Sequence, residues 1–127
     1  MAFILTKKRI VEWPVTIEVP VDGGSTIEQH CSATFEIINQ DEYNQLSNDD
    51  MAFLDRVVVA FGTDIQNDDG TPLKCTKENK KALFGSGGFV RIAFINAYHS
   101  ASTGIGAKNS KGPLSTSRAV RKTRKRK

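Results

Sequence analysis

The sequence predicts an α+β fold: an N-terminal antiparallel β-hairpin packed against a small bundle of three to four helices, followed by a disordered basic C-terminal tail. Three observations predict it. Two segments alternate between apolar and polar residues on either side of Asp22-Gly23-Gly24-Ser25. Behind them, apolar residues recur at helical spacing after residues that cap helices. Beyond residue 103 the composition changes to Gly, Ser, Thr, Lys and Arg. A chain of 127 residues has the length of one domain, placed at 1–103 with the tail at 104–127.

The hairpin is read at about 11–38. Val11, Trp13, Val15, Ile17 and Val19 point one way, and Glu12, Pro14, Thr16 and Glu18 the other. Period two with β-branched residues marks a half-buried strand. Pro14 cannot donate to a ladder, so this strand belongs at an edge, or Pro14 faces away from its neighbour. The glycines of the turn are free to take positive φ. Residues 26–38 alternate again, with Ile27, Cys31, Ala33, Phe35 and Ile37 on one side. A lone hairpin is marginal in water, so its apolar face needs a cover.

The helices, at about 40–102, supply it. Gln40–Leu46 suits a short helix. Ser47 is read as the N-cap of the next, with Asp49 and Asp50 in a first turn whose dipole favours acids. Met51, Leu54, Val58 and Phe61 then fall at helical spacing, and Gly62 is the expected stop. The run VVVAF at 57–61 also suits a strand. Residues 63–75 read as a loop with an Asp-Gly turn and Pro72. Thr76 is the expected cap of KENKKALF, which stops at Gly85. A main helix follows at 89–102. Phe89, Ile92, Ala93 and Asn96 share one side, and Phe94, Ile95 and Tyr98 are left to an exposed side.

The net charge of +4 is unevenly distributed. Seven of the 18 basic residues lie in the last ten: Arg118, Arg121, Lys122, Arg124, Lys125, Arg126 and Lys127. Residues 1–117 hold 11 bases and 14 acids, a net of −3. The bases at the end are candidates for binding a polyanion, so nucleic acid is expected to engage the tail only. No aromatic residue lies among them to stack on a base. The longest apolar run is too short to span a bilayer, so no membrane role is expected. Cys31 and Cys75 have no CxxC partner and read as free thiols.

Motifs that carry chemistry are missing. His30 and His99 lack metal-ligand spacing with cysteine. The acidic loop around Asp68-Asp69-Gly70 fails the calcium register, because Ile65 falls where the first ligand belongs. Gly85, Gly87 and Gly88 have no following Gly-Lys-Ser/Thr and read as a helix connection. No nucleophile elbow is present. The carboxylate pairs at 41–42, 49–50 and 68–69 read as caps and solvated turns. The reading is therefore non-enzymatic, with no catalytic residue, cofactor or metal ligand.

One order of features is distinctive. WPVTIEVPVDGG at 13–24 is followed by an alternating strand through CSATFEII and an acidic helix start. FLDRVVVAFGTDIQNDDGTPL at 53–73 comes next, then a short Lys-rich helix, FVRIAFINAYHSA at 89–101 and AKN at 107–109. Over about 13–109 this order resembles the small tail assembly chaperones of long-tailed bacteriophages, the group with an N-terminal W-P-V-x-V/I-x-x-P segment. The chain departs from them in its Ala60-Phe61-Gly62 order and its longer basic extension past Asn109.

The resemblance implies non-enzymatic work in the host bacterial cytoplasm. Such chaperones bind the long, helical tape measure protein and keep it soluble while tail tube subunits polymerise around it. The partners it implies are the tape measure protein and tail tube subunits. The surplus apolar positions of the last helix, Phe89, Phe94, Ile95 and Tyr98, are expected to serve such a partner or self-association into a homo-oligomer. Two other functions are compatible with the sequence: a structural virion component of the tail, and a nucleic-acid-binding accessory protein acting through the basic end.

Overall fold

A computed structural model describes residues 2–104. The order is β1 (Arg9–Val21), β2 (Ser25–Ile37), α1 (Gln40–Leu46), α2 (Asp50–Val57), β3 (Val58–Phe61), α3 (Lys77–Phe84) and α4 (Gly88–Thr103). The three strands form one antiparallel sheet in the order β1-β2-β3, with the helices packed on one face. The fold is α+β. The expected basic tail lies, from residue 105 on, outside the described residues.

The hairpin follows the alternation closely. Val15 pairs with Cys31 and Trp13 with Ala33 across an unbroken register from Arg9↔Ile37 to Val21↔Ser25. Gly23 and Gly24 take φ of 91° and 84° in the loop, a conformation that a side chain disfavours. Val15, Ala33 and Phe35 are fully buried on the inner face, where α4 crosses β1.

Pro14 is satisfied by position. Its partner Ser32 accepts from the Gly62 N–H at 2.9 Å and donates its own N–H to the Asp64 carboxylate at 3.1 Å. Ser32 therefore turns its backbone away from β1. In an antiparallel ladder the residue opposite does the same, so Pro14 faces the open edge, where no donor is missed.

Three helices form close to the segments the sequence assigns to them. Asn39 caps α1 by accepting the Glu42 N–H, Thr76 caps α3 by accepting the Asn79 N–H, and Gly104 ends α4 with φ 76°. Two expectations are corrected. Ser47 closes α1, donating its backbone N–H to the Tyr43 carbonyl, and Asp49 is the cap of α2, accepting from Met51 and Ala52.

The second correction concerns the end of α2. It stops at Val57 rather than continuing to Phe61, and residues 58–61 become β3. The Lys80 ammonium decides this from a distance in sequence. It donates to the carbonyls of Asp55 and Val58 at 2.8 and 3.1 Å, at the negative end of the helix dipole. β3 then pairs with β2 through a bulge at Val59, since Thr34↔Ala60 is followed by Phe35↔Val58. Gly62 ends a strand, not a helix. A Cβ there would sit 2.9 Å from the Ser32 carbonyl oxygen and press on the Ser32 hydroxyl.

Candidate functional surfaces

The residues singled out on α4 divide sharply. Phe94 and Tyr98 are buried, and Phe89 and Ile95 are partly buried against the same core. The expectation of an exposed face built on Phe94 and Tyr98 is corrected: α4 turns Val90, Ala93, Phe94, Ala97 and Tyr98 inward. The exposed apolar residue of this helix is Ile92, at 60%.

The inward set is held by aromatic partners on other elements. Tyr98 lies edge-on to Phe35 and Phe53 with centroids 6.2 and 5.0 Å apart, and Phe94 lies edge-on to Phe84 at 5.1 Å. The Tyr98 hydroxyl accepts the Ile38 N–H at 3.2 Å. Burial, chiefly, pushes the Tyr98 phenol above its ordinary pKa. It is a neutral structural hydroxyl at physiological pH.

The other chemistry-bearing groups also act within the fold. Burial, with a smaller contribution from the Asp64 charge, pushes the Cys31 thiol up to about 11. Cys75, raised mainly by burial, approaches the Val58 carbonyl at 3.9 Å. Both are protonated at neutral pH and are poor nucleophiles in that form. Asp69 accepts from the Thr71 hydroxyl and N–H, at 2.7 and 3.0 Å, and these bonds hold its carboxyl below the ordinary range. His99 meets the Tyr43 hydroxyl at 3.4 Å. Among the described residues no three His, Cys, Asp or Glu side chains converge on a metal position, and no helix is long and apolar enough to cross a membrane.

A groove between α2 and α3 has a mainly apolar lining. It has a volume of about 400 Å³ and is lined by Met51, Ala52, Asp55, Lys77, Lys80, Lys81 and Phe84. Phe84 forms its buried floor. Lys80 is already engaged with Asp55 and the end of α2. Lys77 and Lys81, one helical turn apart and exposed, stand on the rim.

This groove was not named by the sequence reading. KENKKALF reads as a polar helix, and its apolar floor is completed by Met51 and Ala52 from another element. The chain matches no family model, no curated protein and no solved structure. The seven basic residues at 118–127 lie outside the described residues.

Proposed function

We propose that this protein is a tail assembly chaperone of a long-tailed bacteriophage, which binds the tape measure protein and keeps it soluble while the tail tube assembles. It works by contact, without a reaction centre. The ordered resemblance over about 13–109 motivates the reading, and the α2–α3 groove is the observation that carries it. An amphipathic helix fits such a groove in the helix-in-groove manner, with its apolar stripe on Met51, Ala52 and Phe84. Lys77 and Lys81 then select a helix whose flank is acidic. These two are conspicuous in a body whose residues 1–117 are net negative.

Co-expression with a tape-measure protein tests this. The wild-type chain is expected to return the partner to the soluble fraction and to co-purify with it. The double charge reversal Lys77→Glu/Lys81→Glu is expected to abolish that recovery while leaving the circular dichroism spectrum unchanged. No recovery by the wild type overturns the reading. Detection of the chain in purified virions shows instead a structural component of the tail.

A further inference from the structure

Phe3, Ile4 and Leu5 are three consecutive large apolar residues, exposed at 81%, 70% and 89%. They precede β1 and lead into Lys7, Lys8 and Arg9, with a bend at Lys7 across which the Arg9 guanidinium donates to the Ile4 carbonyl at 3.2 Å and lies 5.3 Å from the centre of the Phe3 ring. These intrachain contacts leave all three side chains in solvent, and a short apolar segment of this kind can be buried by adding to an open sheet edge.

The hairpin offers a matching surface. Its outer half runs beyond the helix layer, and every residue from 21 to 30 is exposed. Val21 and Ile27 continue the apolar inner face there, with Ile27 at 54%. The two edges of this outer half differ. Since Ser32 turns its backbone away from β1, the alternation makes Thr26, Glu28 and His30 do the same. β3 pairs only with Ala33–Phe35, so that side of β2 is an open edge carrying donors and acceptors. On the β1 side the outward positions include Pro14 and Pro20, which have no N–H.

Charge favours the same pairing. From residue 10 to residue 55 the chain holds ten acids and no Lys or Arg. Glu18, Asp22 and Glu28 lie on the outer half of the hairpin. Added antiparallel to β2, the segment carries Lys7 and Lys8 toward the turn and these carboxylates.

The segment cannot reach this edge within its own chain. Arg9 pairs with Ile37, nine residues along β2 from Glu28, which is about 30 Å at ~3.3 Å per residue. Leu5 is four residues from Arg9, at most roughly 14 Å of fully extended chain. We propose that the Phe3–Leu5 segment of one copy adds as a strand to the Thr26–His30 edge of β2 in a second copy, covering Ile27. This contact goes beyond the chaperone reading and stands without it.

Sedimentation velocity on the full chain tests it. The wild type self-associates with rising concentration, and added salt weakens the association. Phe3→Asp/Leu5→Asp destroys the donor segment, and Glu28→Pro removes an outward N–H from the acceptor edge while leaving the β1–β2 bonds in place. Each variant alone is monomeric. Mixed, they form a 1:1 complex, because one keeps the acceptor and the other the donor. Glu28→Lys, which keeps the backbone intact, weakens association at least several-fold. A wild type that stays monomeric at the highest concentration reached overturns the proposal. So does an oligomer that survives both the donor and the acceptor variant.

Discussion

Tyr98 shows how a single side chain serves two elements. Its ring packs among Phe35, Phe53 and Tyr43, while its hydroxyl satisfies the N–H of Ile38 just past the end of β2. Tyr98→Phe keeps the ring and strands that N–H, so it is expected to cost about 1–2 kcal/mol in urea unfolding. Arg56 is a second such residue. Its guanidinium bonds Glu36 of β2 at 3.0 Å and Glu42 of α1 at 2.6 Å. The hydrogen bond from Arg56, foremost, holds the Glu36 carboxyl below its ordinary 4.5.

The stability that Arg56 confers through Glu36 is therefore complete above that ordinary value and is lost as pH falls through the lowered folded one. Arg56→Met is expected to lower stability by roughly 1–2 kcal/mol at pH 7, after allowance for the partial exposure of the pair. The gap between wild type and variant should close on acidification, read from urea midpoints across the carboxylate range.

At the scale of elements, the sequence was legible wherever period and cap agreed. The hairpin follows from alternation on either side of its glycine turn, and α3 from Thr76 and Gly85, whereas the Asn39 cap of α1 and the Gly104 stop of α4 emerge only in the structure. The α2–β3 boundary was not legible, because VVVAF is apolar throughout and satisfies both periods. Lys80, Ser32 and Asp64 decide it, and all three are distant in sequence. The inward face of α4 was hidden for a related reason: apolar residues occur around most of its circumference. Phe35, Phe53 and Phe84 on other elements select Phe94 and Tyr98 for the core.

Gly62→Ala tests the strand reading directly. An added methyl presses on the Ser32 carbonyl and hydroxyl and is expected to destabilise by about 1–3 kcal/mol. A helix terminus at Gly62 would show a smaller loss.

Charge is partitioned over the whole molecule. The described residues include nine Lys or Arg against 14 Asp or Glu, whereas the last ten residues of the chain carry seven bases and no acid. Any affinity for duplex DNA is therefore expected in residues 118–127 alone. If all seven bases engage phosphates, binding should fall with salt at a logarithmic slope of roughly −6, and the chain ending at residue 117 should not bind. Fluorescence anisotropy over a salt series reads both.

Trp13 is the chain's one tryptophan, and it lies half-buried on the inner face of β1 against the core that α4 completes. The molecule thus carries its own optical gauge at the seam between sheet and helices. Lifting the helical layer would wet the indole and redden its emission, while fraying of the hairpin's far end would leave the spectrum unmoved. One emission scan can tell which of the two has happened when a partner arrives.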